Sequence, residues 1–144
     1  MKNTSVFFDT NVIIDLVTKR GPSADASLRL FEMCKDKILD GFMSVQSISD
    51  IFYILRKDYS VRQRKEILLD VCDVLEVVGV EKWHALSALS DDGFSDLEDC
   101  ILAKCAEDHG FDFVASRNAE DFAASKISVM TPQDLLEHLN AANP

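Results

Sequence analysis

The sequence has little of what zinc-binding, secreted or membrane-spanning proteins require. Its 144 residues include four cysteines, none in a Cys-x-x-Cys pair, and three scattered histidines, expected at the surface or at helix ends, so no structural zinc site is predicted. The longest run without a charged residue, Gly41 to Ser49, is far shorter than the roughly 18 residues that predict a transmembrane helix. The N-terminal segment carries Asp9 inside its apolar run and lacks a small-residue cleavage site, unlike a signal peptide. The sequence therefore predicts a cytoplasmic protein without a membrane partner, whose cysteines are small buried hydrophobic residues.

Motifs of several common enzyme classes are missing as well. The chain has no Walker A or G-x-G-x-x-G loop for nucleotide phosphates and no G-x-S-x-G turn of a serine hydrolase. It also has no internal repeat and no glycine-, proline- or serine-rich linker at which a second domain would begin. We therefore expect a single domain over residues 1–144, and a chain of this length can bury a complete core without disulfides or metal.

Negative charge is concentrated in the second half of the chain. The sequence has 25 acidic and 15 basic residues, a net charge of −10, and residues 83–144 hold 12 of the acids but only 3 of the bases. Such a balance argues against nonspecific binding of nucleic acid, which depends on lysine and arginine contacts to phosphates. The objection is weaker if carboxylates cluster around a divalent cation, because the charge of the ion reverses the local field.

The hydrophobic pattern alternates between short apolar runs and amphipathic stretches. The amphipathic stretches predict helices at about 23–35, 46–57, 61–74, 82–90, 95–109 and 132–139. Ser60 and Ser95 fit capping boxes, and Gly110 is a stop signal after the helix at 95–109. The short runs predict five strands, at Ser5 to Asp9, Gly41 to Val45, Leu75 to Val80, Phe111 to Ser116 and Ile127 to Met130. This alternation predicts an α/β fold with a parallel central sheet and helices on both faces.

Polar residues follow two of the predicted strands. Asp9 ends the first strand, and Ser116, Arg117 and Asn118 come at the end of the fourth. Ligands of open parallel sheets bind beyond the carboxyl ends of the strands, so this placement predicts a site at that edge. The alternative is that Asp9 or Thr10 only caps the next helix.

Three further aspartates lie in predicted helices. Asp96 and Asp99 are three residues apart and share a face at the start of the helix at 95–109. The favourable effect of acids on the helix dipole explains Glu98 fully, but each of these two aspartates only in part. Asp50 lies within an otherwise apolar helix, where it is either an exposed polar residue or part of a functional stripe. Carboxylates, with an amide or water, favour Mg²⁺ or Mn²⁺ over zinc.

One basic stretch stands out against the acidic background. Residues 56–65 contain one acid and five bases, and Tyr53 and Tyr59 lie beside or among them. The stretch is either a solvated surface between helices or a surface that holds phosphates and stacks bases of a single strand. Its candidate substrate-binding residues are Arg56, Lys57, Arg62, Arg64 and Lys65, and Arg117 is a further candidate outside it.

Four segments occur in an order and spacing that covers nearly the whole chain: FFDTNVIIDL at 7–16, DIFYILR at 50–56, DLEDCILA at 96–103 and SRNAEDF at 116–122. Together they resemble the PIN-domain family, and Ile127 to Pro132 is similar to its last strand and helix. The resemblance implies a three-layer α/β/α fold with a central parallel sheet. It also implies a metal-dependent nuclease, and many members of the family are VapC-type toxins that cut RNA.

The resemblance assigns roles residue by residue. Asp9, Asp50 and Asp99 match the first, second and third catalytic acids, and Asp96 is an additional acid of the same helix turn. The metal ligands implied are Asp9, Asp96, Asp99 and Asn118, and the pocket-shaping residues are Thr10, Asn11, Ser116 and Asp121. Two positions depart from the family pattern. Asp50 replaces a usual glutamate that is one methylene longer, and Asn118 replaces a fourth acid and brings no charge.

The resemblance therefore implies an Mg²⁺- or Mn²⁺-dependent endoribonuclease, the toxin of a toxin–antitoxin pair, which acts on RNA as a homodimer and is bound by an antitoxin. Two alternatives stay open at this point. The departures at Asp50 and Asn118 allow a catalytically impaired PIN-like module that only binds RNA or a protein. A phosphatase with a nucleophilic Asp9 would need a second acid where this chain has Asn11.

Overall fold

A computed structural model describes residues 2–142. In this part of the chain, two short 3-10 helices cover Leu55–Lys57 and Ala119–Phe122. The strands are β1 (Thr4–Phe8), β2 (Leu39–Ser44), β3 (Glu76–Val78), β4 (Phe113–Ala115) and β5 (Ser128–Met130). The α-helices are α1 (Thr10–Thr18), α2 (Ala24–Lys35), α3 (Val45–Ile54), α4 (Val61–Val74), α5 (Lys82–Leu89), α6 (Leu97–His109) and α7 (Pro132–Ala142).

The five strands form one parallel sheet in the order β3-β2-β1-β4-β5. β1 lies at its centre, and Phe7 is paired with Phe42 of β2 on one side and Val114 of β4 on the other. The strand order reverses at β1, because the chain continues from it to β2 on one side and later returns to β4 on the other. A crevice opens beyond the carboxyl ends of strands at such a reversal.

Alternate side chains of β1 are buried in two separate hydrophobic cores, because successive residues of a strand point to opposite faces of the sheet. Val6 and Phe8 pack in the larger core, with residues of α1, α2, α3, α4 and α7. Phe7 packs in the smaller one, with Leu102 and Ala106 of α6. Helices thus cover both faces of the sheet, and the predicted three-layer α/β/α fold is confirmed.

Several helices differ from the sequence prediction, and for two of them the cause is a capping residue. α1 was not among the helices predicted from periodicity, and it starts because Asp9 caps it. α6 begins at Leu97 rather than 95, since Asp96 is the residue that caps it. The helix predicted over 46–57 ends at Ile54 and continues as a 3-10 turn. Gly110 ends α6 with a φ of 69°, in the left-handed region that favours glycine.

The cysteines and histidines take structural positions. All four cysteines are free. Three of them are buried, as predicted, whereas Cys72 is only half-buried. His84 was expected at the surface or at a helix end, and this expectation is wrong because its side chain is buried. Its Nδ1 accepts a hydrogen bond from the backbone N–H of Glu81 at 2.9 Å. Its Nε2 contacts the Asp108 carboxylate at 3.1 Å, so the ring joins α5 to α6. Among the helices of residues 2–142, none is long and apolar enough to cross a membrane.

Candidate active site

Asp9 lies at the end of the central strand, where the backbone turns from β1 into α1. Its side chain is buried, and both carboxylate oxygens accept hydrogen bonds, Oδ1 from the backbone N–H of Thr10 at 2.8 Å and Oδ2 from Ser116 Oγ at 2.8 Å. Its own backbone N–H donates to the carbonyl of Ala115 at 3.0 Å. The helix-cap explanation for Asp9 is therefore correct, but it does not exclude a second role, because each oxygen keeps a free lone pair.

The segment after β4 is built around Ser116. Its backbone N–H donates to the carbonyl of Met130 at 3.0 Å, which continues the sheet ladder beyond the strand. Its Oγ donates to Asp9 and accepts the backbone N–H of Asn118 at 3.2 Å. The backbone N–H of Arg117 donates to Asn11 Oδ1 at 3.2 Å, so Asn11 fixes this segment against the start of α1.

The first turn of α6 supplies the acids on the other side. Asp96 is the N-cap, and its Oδ1 accepts the backbone N–H of Asp99 at 3.0 Å. Capping places Asp96 and Asp99 on one turn, since the cap and the third residue after it lie above one another. Asp96 is exposed and Asp99 is half-buried.

These elements enclose one cleft of about 490 Å³ at the carboxyl edge of the sheet. Eight residues predicted for the site line this cleft: Asp9, Thr10, Asn11, Asp96, Asp99, Arg117, Asn118 and Asp121. Its lining also contains Glu98, Ile14, Ile54 and Ser95, which were not predicted as site residues. Arg117 is the only base in this described lining, against five carboxylates. The structure thus brings the sheet-edge residues and the α6 acids together.

Three carboxyl groups of the cleft, those of Asp9, Glu98 and Asp99, have raised pKa values. Burial, the largest cause, and the negative charges of Asp9, Asp96, Asp121 and Glu98 together raise the pKa of Asp99 to about 6. Burial also raises the pKa of Asp9, although the hydrogen bonds from Ser116 and Thr10 and the charge of Arg117 oppose that effect. A cation in the cleft would favour the ionised forms of all these groups.

Asp99→Asn is expected to stabilise the protein in EDTA at pH 7. The folded state binds a proton at Asp99 more tightly than the unfolded state does, so stability falls as pH rises from about 4 to about 6 and stays reduced above that. Asparagine removes this loss, and the stabilisation should shrink toward pH 4. Thermal melting between pH 4 and 8 measures it, with the exposed Asp25→Asn as control. Equal melting temperatures of parent and variant at pH 7 would contradict a raised pKa of Asp99 in the folded state.

Asp50 lies outside the main cleft, in a neighbouring lobe of about 250 Å³. The lobe is continuous with the cleft because Thr10, Ile54 and Glu98 line both. Burial raises the pKa of Glu98, and the neighbouring carboxyl group of Asp50 raises it further. Sequence reasoning missed Glu98 as a site residue, because the helix dipole accounted for it. The feature of the sequence that could have indicated Glu98 is its position directly beside Asp99.

The helix that carries Asp50 is tied to the cleft by a pair of hydroxyl groups. Thr10 Oγ1 and Ser47 Oγ share a hydrogen bond of 2.6 Å, which joins the first turn of α1 to α3. Ser47 is buried, and its spacing from Asp50 and Ile54 places all three on one stripe of α3. Thr10 therefore orients α3 in addition to lining the cleft.

The basic stretch does not act as one surface. The guanidinium of Arg64 is buried, stacks on Phe52 at 4.2 Å and donates to the carbonyl of Phe52 at 2.9 Å. This corrects the prediction for Arg64, whose charge is used inside the fold. Tyr59 is half-buried and packs against the larger core. The other four bases of the stretch are exposed: Arg56, Lys57, Arg62, which pairs with Glu66 at 3.3 Å, and Lys65.

Arg117 is held in the cleft by a buried acid. Its Nη1 contacts Asp15 Oδ1 at 3.2 Å, and the Asp15 side chain is 5% exposed whereas that of Arg117 is 46% exposed. Asp15 Oδ2 is buried and has no hydrogen-bond partner among residues 2–142. Burial raises the pKa of Asp15, and the Arg117 charge opposes the rise. The ion pair fixes Nη1 of Arg117, while the side chain remains part of the lining of the cleft.

The donor set of the cleft has the chemistry of a site for a hard divalent cation. It offers carboxylate oxygens and the Asn118 amide, the ligand types that Mg²⁺ and Mn²⁺ prefer. Within residues 2–142, however, no three acid, histidine or cysteine side chains are already close enough together to enclose an ion. The residues fit such an ion in kind and charge, and they would have to approach one another to surround it.

Comparison with known proteins decides the family. The family profile described as PIN domain matches residues 5–120, which is most of the chain and includes Asp9, Asp50, Asp96, Asp99 and Asn118. The chain belongs to the PIN domain family. This PIN domain is also 26% identical over 144 residues to Ribonuclease VapC1 of Aquifex aeolicus, an alignment that covers 97% of this chain and 99% of that protein.

Solved structures share the fold of this PIN domain at low sequence identity. DNA-bound VapBC from Salmonella typhimurium superposes with a TM-score of 0.69 and 14% identity, over 90% of this chain and 98% of that one. A toxin–antitoxin complex from Klebsiella pneumoniae gives a TM-score of 0.66 and 22% identity, over 88% and 97%. VapC20 of Mycobacterium tuberculosis, described as a toxin that cleaves the sarcin–ricin loop, gives 0.65 and 14%, over 83% and 94%.

Proposed function

We propose that this PIN domain is a metal-dependent endoribonuclease that hydrolyses RNA phosphodiester bonds as the toxin of a toxin–antitoxin pair. The observation that carries the proposal is the cleft in which Asp9, from the sheet, meets Asp96 and Asp99, from α6. The relative named Ribonuclease VapC1 and the toxin–antitoxin complexes of similar fold support it. With this function we propose a cytoplasmic location and one domain over residues 1–144.

Asp9, Asp96, Asp99 and Asn118 are the residues that we propose hold Mg²⁺ or Mn²⁺. The ion would activate the attacking water and stabilise charge on the phosphate oxygens. Asp9 is oriented for this task by Ser116 and Thr10, which fix both of its oxygens. Asn118 has the weaker ligand of the four, since its amide oxygen carries no net charge.

The remaining cleft residues position the substrate. We assign to Asp50 the orientation of the attacking water from the neighbouring lobe, and to Arg117 a contact with a phosphate of the RNA strand. Asp121 supplies negative charge beside Asp99, which partly replaces the charge absent at Asn118. Asn11 and Ser116 shape the floor through their hydrogen bonds to the 116–118 segment.

Two observations favour an enzyme over the alternatives. The short Asp50 is accompanied by Glu98 in the same lobe, so that side of the cleft does not lack carboxylates. Asn11, which stands where a phosphatase would have its second acid, uses its side-chain oxygen to accept the Arg117 backbone N–H. A module that binds RNA without cutting it stays the second candidate, because Asn118 lowers the charge of the site.

We further propose two protein partners, a second copy of this chain and an antitoxin. The charge of the cleft supports the antitoxin, since five carboxylates and one guanidinium in the described lining would attract a segment rich in lysine and arginine. Such a segment would block RNA and displace the cation from the acids.

Incubating purified protein with single-stranded and structured RNAs tests the proposed activity. Cleavage is expected with Mg²⁺ or Mn²⁺ and not with EDTA, because the carboxylates alone cannot neutralise the charge on the phosphate. Gel analysis of end-labelled RNA shows internal cuts directly. Cleavage that persists in EDTA would defeat the mechanism, and RNA binding without cleavage in saturating Mn²⁺ would favour the binding module.

A further inference from the structure

A large aromatic side chain lies exposed beside the acidic cleft. Tyr53, on the last turn of α3, is 62% exposed and lines the lobe that also contains Asp50 and Glu98. Ile54, its neighbour, lines both the lobe and the main cleft and is itself 46% exposed. A path of open, partly apolar surface therefore leads from the acids at Asp9 and Asp99 to the Tyr53 ring.

A cation is fixed against this ring. The guanidinium carbon of Arg56 lies 3.8 Å from the centroid of Tyr53, and its Nη1 donates to the Tyr53 carbonyl at 2.9 Å. The chain has a second pair of this kind, Arg64 on Phe52, but there the guanidinium is buried and bonded to the backbone. The buried pair serves the fold, whereas the Tyr53 and Arg56 pair is open to solvent.

Isolated exposed aromatics are common on protein surfaces and need no function. Tyr53 differs from exposed Trp83 on α5 in its surroundings, because it combines an exposed ring, a fixed cation and a position in the lobe beside the cleft. An aromatic ring next to a cation is the surface on which unpaired bases stack, and every base has a face for it. A paired base is already stacked within its helix and is not free to bind this way.

We propose that Tyr53, with Arg56 behind it, stacks an unpaired nucleobase next to the cleaved phosphate. The inference rests on the proposed ribonuclease function and narrows its substrate to RNA with an unpaired nucleotide beside the cut. Tyr53 contacts the base and sets the register of the strand, while Arg56 holds the ring and adds attraction for the strand. The hydroxyl of Tyr53 takes no part in the interaction.

Steady-state cleavage of a single-stranded RNA in Mn²⁺ tests the stacking role. Tyr53→Leu should lower kcat/KM by about 5- to 150-fold, the loss that removing one base–aromatic stack produces. Tyr53→Phe should stay close to the parent, because it keeps the ring. Trp83→Leu, which removes an exposed aromatic outside the cleft, should change nothing. Unchanged melting temperatures show that the variants fold.

RNAs with one abasic nucleotide, placed in turn on each side of the cut, provide the second measurement. An abasic nucleotide at one of these positions should reduce cleavage by the parent protein, because Tyr53 has no base to stack there. The same RNA should not reduce cleavage by Tyr53→Leu any further, since that variant already lacks the stack. If the parent cleaves RNA and Tyr53→Leu cleaves it equally well, the stacking role is overturned while the ribonuclease function stands. An additive loss in the variant would also overturn it. If the parent neither cleaves nor binds RNA, measured by fluorescence anisotropy, both proposals fail together.

Discussion

Asp9→Asn and Asp99→Asn are each expected to abolish metal-dependent RNA cleavage while leaving the fold intact. Each replacement removes the charge of a proposed metal ligand from the cleft, so metal binding and stabilisation of the transition state should be lost together. Losing about 4 kcal/mol of transition-state stabilisation would already slow the reaction roughly a thousandfold. The amide oxygen introduced by Asp9→Asn can still accept the backbone N–H of Thr10, and no described hydrogen bond depends on the Asp99 carboxylate.

The measurement is the cleavage rate in Mn²⁺, together with Mn²⁺ affinity from calorimetry and the circular dichroism spectrum. Asp25→Asn is the matched control, since it removes the same charge from an exposed turn of α2. Both site variants should bind Mn²⁺ more weakly than the control. Cleavage that survives Asp9→Asn in protein free of contaminating nuclease would disprove the assignment of the cleft.

Arg117→Ala should destabilise the fold by about 3 kcal/mol at pH 7, the low end for removing one partner of a buried ion pair, since Arg117 is half-exposed. The variant leaves Asp15 buried, charged and without its partner. Asp15 already has a raised pKa, and without Arg117 the pKa rises further. A raised pKa means that stability falls as pH rises through it, so the destabilisation should shrink toward pH 4.

Chemical denaturation at pH 7 and near pH 4 measures this effect. Arg20→Ala is the control, because its pair with Asp58 is exposed on both sides and should contribute no more than about 1 kcal/mol. Adding Asp15→Asn to Arg117→Ala should recover most of the stability at pH 7, since it removes the stranded charge. A loss for Arg117→Ala that is independent of pH would show that the contacts of the arginine stem, rather than the charge of Asp15, matter.

The fold was predictable where the pattern is strong. The parallel sheet follows from buried apolar runs such as Val6 to Phe8, which have polar residues only at their ends. α1 was harder to predict because it follows β1 after a single residue, and its apolar side chains continue the apolar run of the strand. Strand order was not predictable, since it depends on which helices can cover each face.

The convergence of the acids at the edge of the sheet was predictable, and the residues around them were less so. Asp9 and Asp99 were indicated by their places at a strand end and a helix start. Glu98 was missed because one favourable effect, the helix dipole, already accounted for it. Arg64 was misassigned because charge in a sequence does not show whether a side chain is exposed, and Phe52 stacks it into the fold. The Asp15 and Arg117 pair joins residues 102 positions apart, so only the folded chain shows it.

The backbone amides of Asp9 and Ser116 extend the hydrogen-bond ladder of the sheet past its strands, whereas the amide of Asp99 is bonded to the exposed side chain of Asp96. We therefore expect the two walls of the cleft to differ in how easily they open. The Asp9 amide bonds to Ala115 next to the central strand and the Ser116 amide bonds to Met130 at the end of β5, so both should open with the sheet, whereas the first turn of a helix can fray alone. The cleft is complete only in the fraction of molecules whose α6 is closed at this turn, and its apparent affinity for a cation is the intrinsic affinity multiplied by that fraction.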